Sequence, residues 1–197
     1  MKPGLDRLVA FVGLFFLTPF FLLMALLLVF ATGLNPVFRQ QRIGCQGNLF
    51  WLYKFRTMTN TRDTIENLLP DADRITPIGR WLRRLSLDEL PQLVNVLLGD
   101  MSLVGPRPLL AEYAPELAIH KRHTIKPGLT GWAQIHGRNH LSWPEKFGLD
   151  CWYTAHCTFS VDSLILWRTL FVLVDTSPPA KPITPCYSTE PEAIPAS

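Results

Sequence analysis

Charge is scarce in this 197-residue chain, and cysteine is scarcer. Only 18% of the residues are charged, against ~25% in typical soluble domains. The four cysteines, Cys45, Cys151, Cys157 and Cys186, are scattered. No CxxC and no histidine at zinc-ligand spacing accompanies them, which argues against a secreted disulfide scaffold and a structural zinc site. Reduced thiols are the simpler reading. Internal repeats are lacking, and 17 prolines against 12 glycines exclude a bundle of uninterrupted helical repeats. What is abundant is apolar surface, at 48% hydrophobic residues and a mean hydropathy of +0.15. Much of it lies in one place, because no charged residue occurs between Arg7 and Arg39. The expectation is a small, membrane-attached domain.

Leu8 to Ala31 is an apolar run of 24 residues, long enough to cross a hydrocarbon core of ~30 Å. It exceeds the apolar region of a signal peptide and has no small-residue cleavage site behind it. Thr18-Pro19 lies near its middle, where proline removes a backbone donor and crowds the preceding turn. Two states remain open on physical grounds: a kinked spanning helix, or a helix-break-helix that enters one leaflet and returns. Lys2 and Arg7 before the run and Arg39 and Arg42 after it flank both ends with positive charge, as expected if both ends face the cytoplasm.

Beyond residue 34 the pattern predicts an α+β unit. Pro36–Ile43 and Leu49–Met58 alternate as strands around the turn Gly44-Cys45-Gln46-Gly47, giving a β-hairpin. Residues 59–73 read as a short helix or loop, and Pro77–Leu98 turns helical. Lys126–Asn139 is a glycine-punctuated loop with a short strand around Trp132–Ile135. Ser142-Trp143-Pro144-Glu145 has the form of a capping box that opens a helix toward Tyr153. Ser160–Val174 is a second helix, with Trp167 and Arg168 suited to a membrane interface. The organisation expected is a membrane-inserted segment over 1–34, a catalytic domain over 35–175 and a Pro-rich, disordered tail over 176–197.

Between Asn35 and Arg84 nine Lys/Arg face four Asp/Glu. A basic surface beside a membrane anchor suits anionic headgroups or a phosphorylated substrate. Nucleic acid is not expected, for no recognition motif or basic helix is present.

The chemically richest stretch is Arg83 to Pro108. Ser86 and Glu89 have capping-box spacing, and Leu90, Leu93, Val94 and Leu97 follow at helical intervals, with Pro91 disturbing the register. Asp88 and Glu89 thus sit at a helix start, where an ionised carboxylate suits a nucleophile or a metal ligand. Acidic residues also stand there merely to cap. Gly105-Pro106-Arg107-Pro108 is a rigid loop presenting one arginine.

Taken in order, the segments 39–44 (RQQRIG), 53–58 (YKFRTM), 86–93 (SLDELPQL), 99–108 (GDMSLVGPRP), 126–134 (KPGLTGWAQ) and 137–139 (GRN) resemble the bacterial sugar transferases. These are the monotopic polyprenyl-phosphate phosphoglycosyl transferases, and the likeness covers about residues 1–175 in a minimal catalytic form. The resemblance implies transfer of a sugar-1-phosphate from a UDP-sugar to polyprenyl phosphate, with release of UMP, at the cytoplasmic face of the bacterial inner membrane. It implies Asp88 as the nucleophile of a covalent aspartyl-phosphosugar, with Glu89 and a Mg²⁺ ion held by the two carboxylates assisting. Later glycosyltransferases of the same pathway are implied partners. It also favours the re-entrant state, with Thr18-Pro19 standing where the family has Ser-Pro, and with its Lys-Arg-x-x-Asp opening only partly kept as Lys2, Asp6 and Arg7.

Lys54, Arg56, Arg83 and Arg107 are the phosphate-binding candidates. His120 and His123, beside Lys121 and Arg122, read as a solvated basic face. Trp132, Trp143 and Trp152 read as packing groups before stacking platforms, Cys151 and Cys157 as small buried groups, and Asp150 as a supporting polar residue. The competing function is a non-catalytic membrane-surface module that binds anionic lipid or a partner enzyme through the basic hairpin. Such a module gains nothing from two adjacent carboxylates among arginines.

Overall fold

A computed structural model describes residues 2–113, 121–137 and 140–174. The Pro-rich tail, His120 and the pair Arg138-Asn139 lie outside the described residues.

Helix α1 runs from Lys2 to Thr32. It is long and apolar enough to cross a membrane, with a window of mean hydropathy 2.7 that is only 11% buried. A break was expected near Thr18-Pro19, whereas the helix continues through Pro19. One proline deletes a single amide donor, which a long helix survives as a bend. The Thr18 hydroxyl donates to the Leu14 carbonyl at 2.7 Å, a back-bond of the kind that bends helices.

Both ends of α1 are fastened to the rest of the chain. Near the start, the Lys2 ammonium pairs with Asp162 at 2.8 Å and donates to the Tyr153 hydroxyl at 2.7 Å and the Val104 carbonyl at 3.2 Å. The Ser102 hydroxyl donates to Asp6. Further along, Ala10 joins Leu93, Val96 and Met101 in the main core. Near the far end, Met24 and Leu28 pack with Phe55 and Leu82. The opposite face exposes Leu8, Phe11, Phe15, Phe16, Leu22 and Phe30.

The hairpin forms as its alternation predicts. Strands β1 (Val37–Ile43) and β2 (Leu49–Phe55) pair antiparallel, Val37 opposite Phe55 and Ile43 opposite Leu49. A one-turn helix α2 (Asp71–Arg74) precedes α3 (Pro77–Arg84). The Thr76 hydroxyl caps α3 by accepting from the Gly79 amide at 3.0 Å. A Cβ on Gly79 would stand 2.2 Å from the Thr57 carbonyl oxygen, so only glycine lets α3 press against the end of the hairpin. A 3₁₀ turn, Leu87–Gln92, leads directly into α4, Leu93–Leu98.

Asn95 on α4 is wholly buried and fastens α4 to the side of β2 away from β1. Its Oδ1 accepts from the Tyr53 amide at 3.1 Å, and its Nδ2 donates to the Trp51 carbonyl at 2.6 Å. Lys54 is thereby held facing the 3₁₀ turn. Replacing Asn95 by Leu strands both strand groups, and is expected to cost about 3 kcal/mol, read as a lower midpoint in denaturant unfolding.

Strands β3 (Ser102–Val104) and β4 (Gly128–Thr130) pair in parallel. The strand expected around Trp132–Ile135 is instead helix α5, Trp132–His136, and the extended segment falls one step earlier. Gly131, fully extended, makes the switch from strand to helix. Helices α6 (Trp143–His156) and α7 (Phe159–Val174) follow. The predicted capping box opens α6: the Glu145 carboxylate accepts from the Ser142 amide and hydroxyl, each at 2.7 Å. Trp132 and Trp152 stack at 4.5 Å against the core. Cys157 is exposed at the end of α6 and Cys151 is half-buried, so the expectation of two buried thiols fails.

Candidate active site

Asp88 and Glu89 lie on the 3₁₀ turn, not in a capped α-helix. Ser86 takes a left-handed conformation (φ 55°) and makes no capping bond from its side chain. The capping box expected at Ser86–Glu89 therefore does not form. Glu89 has stronger partners than a local amide: Lys54 Nζ at 3.1 Å and Arg107 Nη2 at 2.7 Å, both on Oε1. Pro91, which has no amide proton, sits inside the turn, in keeping with its 3₁₀ form.

The two carboxylates are electrostatically unlike. Burial alone would raise Glu89, but Arg107 and Lys54 hold its carboxyl down at about 2. Burial, reinforced by the neighbouring Glu89, pushes the Asp88 carboxyl above its ordinary range, against the pull of Lys54 and Arg83. Asp88 is buried and, among the described residues, forms no ion pair with a cation, unlike Glu89. Two cations hold Glu89 chiefly through Oε1, while the Asp88 carboxyl is pushed upward.

Arg107 reaches Glu89 from a loop built for rigidity. Pro106 and Pro108 flank it and fix their own φ angles. With two prolines supplying no amide protons, the loop is held through its carbonyls. Pro106 accepts from the Gly128 amide at 2.9 Å, Arg107 from Arg122 at 2.6 Å, Pro108 from Arg42 at 3.3 Å and Leu109 from the Ile43 amide at 2.9 Å. Gly128 is required at this crossing, since a Cβ there would lie 2.0 Å from the Gly105 nitrogen.

All six residues expected at the site line one cavity of about 980 Å³: Lys54, Arg56, Arg83, Asp88, Glu89 and Arg107. Ligand pockets span ~300–1,000 Å³, so this cavity has the size of a ligand site. Arg83 is aimed by a bond from its Nε to the Thr57 hydroxyl at 2.8 Å. Arg56 donates its Nε to the Asn35 carbonyl at 2.7 Å, at the mouth of the hairpin. Trp143, nearly half exposed, also lines the cavity.

Arg122 on the cavity wall and its neighbour His123 depart from expectation. Arg122 and His123 are buried, so the solvated basic face predicted for them is absent. Arg122 pairs with Asp150 at 2.7 Å, both side chains almost wholly shielded. Their 28-residue separation gives no local pattern that sequence reasoning could use. Arg42, a flanking charge that also belongs to the segment 39–44, lines the cavity as well.

Among the described residues no group of three or more His, Cys, Asp or Glu forms a metal cage. The adjacent pair Asp88 and Glu89 fits the alternative that Mg²⁺ favours, one or two carboxylates completed by substrate phosphates.

The family profile of the bacterial sugar transferases matches residues 1–176. This chain belongs to that family. It is 57% identical over 139 residues, 69% of each chain, to the "uncharacterized sugar transferase EpsL" of Bacillus subtilis. It is 38% identical over 161 residues to the undecaprenyl-phosphate galactose phosphotransferase of Salmonella typhimurium, covering 72% of this chain and 34% of that one. Against the UDP-glucose:undecaprenyl-phosphate glucose-1-phosphate transferase of Xanthomonas campestris, identity is 43% over 140 residues, 67% of this chain and 29% of the other. The chain thus spans about a third of the two relatives whose names state a reaction. As a family member it is a sugar transferase, and the non-catalytic module is set aside.

Proposed function

We propose that this transferase moves a sugar-1-phosphate from a UDP-sugar to a polyprenyl phosphate in two displacements at Asp88. A carboxylate oxygen of Asp88 attacks the sugar-bearing phosphorus. The bond from that phosphorus to the oxygen bridging it to the uridylyl phosphate breaks, and UMP leaves with the electron pair. The protein then carries an aspartyl-phosphosugar. An oxygen of the polyprenyl phosphate attacks the same phosphorus, the acyl phosphate bond breaks, and the Asp88 carboxylate is restored. The observation that carries this reading is a buried Asp88 that pairs with no cation among the described residues, in a cation-lined cavity, beside a Glu89 that two cations already hold.

The other residues follow from charge. Arg83 and Arg107 face the transferring phosphate, and Lys54 and Arg56 extend the cationic wall toward the hairpin, where the remaining donor phosphate would lie. A Mg²⁺ ion held by Asp88, Glu89 and donor phosphate oxygens would neutralise charge on the leaving UMP.

The membrane arrangement proposed is monotopic, in the bacterial inner membrane, with the cavity on the cytoplasmic side. Its support is the fastening of both ends of α1: a helix that crossed the bilayer would carry Lys2 away from Asp162. The apolar face of α1 then lies in one leaflet, bent at Pro19, and the lipid phosphate reaches Asp88 from the same side as the soluble donor.

The direct test is UMP release by full-length protein in detergent, supplied with UDP-sugars and polyprenyl phosphate. Release accompanied by lipid-linked sugar is expected, and chelation of divalent cations should stop it. Glu89→Gln is expected to lower the rate by about 10²-fold and to flatten its Mg²⁺ dependence. Turnover that ignores the chelator would remove the metal from the mechanism. Binding to anionic vesicles without any UMP release would overturn the reaction assignment.

A further inference from the structure

We propose that Arg122 and Asp150 are positioning residues that aim Arg107 at the reacting phosphate through the main chain of the Pro106-Arg107-Pro108 loop. The inference rests on the reading of Arg107 as a phosphate ligand.

The connection is a continuous series of short polar contacts. Asp150 Oδ2 meets Arg122 Nη2 at 2.7 Å. The same Nη2 donates to the Arg107 carbonyl oxygen at 2.6 Å. Arg107 Nη2 meets Glu89 Oε1 at 2.7 Å. The Arg122 guanidinium also lies over the Phe147 ring, 4.9 Å from its centroid, which fixes its plane. One buried cation therefore joins α6 to the main chain of the residue whose side chain holds Glu89.

A buried ion pair is weak evidence for stability, because apolar residues of similar volume often hold a fold as well or better. The placement of this one suggests a different use. Its hydrogen bond ends on Arg107, between two prolines that already restrict rotation. With both flanking φ angles fixed, a pin on the Arg107 carbonyl limits the peptide tilt that would swing the side chain. Arg107 is itself half exposed, so its aim depends on the loop and not on packing around its guanidinium. A displacement of about 1 Å is enough to cost about 10²-fold in rate.

The test is a double-mutant cycle on full-length protein, read by single-turnover UMP release with enzyme in excess. Arg122→Lys keeps the charge but loses the planar Nη2 that meets both acceptors and the guanidinium face over Phe147, and Asp150→Asn keeps the shape. Each is expected to slow release by about 10²-fold with a smaller change in the half-saturating UDP-sugar concentration. In an Arg107→Ala background each should cost less than about twofold, because the group being aimed is gone. Equal losses in both backgrounds would overturn the proposal. The apolar pair Arg122→Met with Asp150→Leu supplies a second readout. A purely structural pair would tolerate this swap with its rate intact, whereas a positioning pair loses rate while the unfolding midpoint holds. A wild type that releases no UMP would overturn the reaction assignment instead, and the role of Arg122 and Asp150 with it.

Discussion

Asp88→Asn is expected to reduce UMP release by about 10⁴-fold or more, the scale seen when a catalytic nucleophile is removed. The substitution keeps the size of the side chain and its place on the 3₁₀ turn. It removes the only property the first displacement needs, an oxygen able to form an acyl phosphate. Burial and Glu89 already push the Asp88 carboxyl upward, so a neutral amide suits the pocket and folding should be unaffected. Loss of activity with an unchanged unfolding midpoint is therefore the expected pairing. Residual turnover within about tenfold of wild type would place the nucleophile elsewhere.

The second large effect concerns topology. A cysteine inserted between Met1 and Lys2, in a background without the native cysteines, preserves the Lys2–Asp162 pair. In intact cells it is expected to resist a membrane-impermeant thiol reagent and to react fully after lysis. The reason is geometric: Lys2 is bound to Asp162, Val104 and Tyr153, all of which belong to the unit that carries the cavity. Export of the N-terminus would break these contacts and leave Asp162 without its ammonium. Pro19→Ala restores the missing amide donor and straightens α1. Reactivity from outside should then rise. Labelling of the unaltered segment in intact cells would sink the monotopic arrangement.

Local chemistry was readable in advance, and long-range chemistry was not. The hairpin is legible because Leu49, Trp51, Tyr53 and Phe55 alternate with Phe50, Leu52 and Lys54 just after a glycine-bounded turn. The α6 capping box forms where its spacing predicts, with Glu145 accepting from the Ser142 amide and hydroxyl. At Ser86–Glu89 the same spacing failed, since Lys54 and Arg107, distant in sequence, offer Glu89 two charges where a cap offers an amide. The strand expected at Trp132 appeared at Gly128–Thr130 because pairing with β3 selects the extended segment, and side-chain type alone does not. At Pro19 the expected break gives way to a continuous helix, because losing one amide donor costs less than ending a 31-residue helix. Arg122 was misread for the plainest reason: among Lys121, His123 and Lys126 it looks solvated until α6 brings Asp150 and Phe147 against it. Lys54, Arg56, Arg83, Asp88, Glu89 and Arg107 stand in motif order in the sequence and line one cavity. The Arg122–Asp150 support leaves no local pattern of that kind.

The claim on which the rest depends is a covalent sugar phosphate on Asp88. Full-length protein mixed with a UDP-sugar and no lipid should release about one UMP per chain and gain the mass of one sugar phosphate. Peptide mapping should place that mass on Asp88, and added polyprenyl phosphate should discharge it into lipid-linked product. UMP formation that begins only when the lipid is added, with no mass gained at any earlier time, would mean direct transfer between the two substrates and would contradict the two-step account.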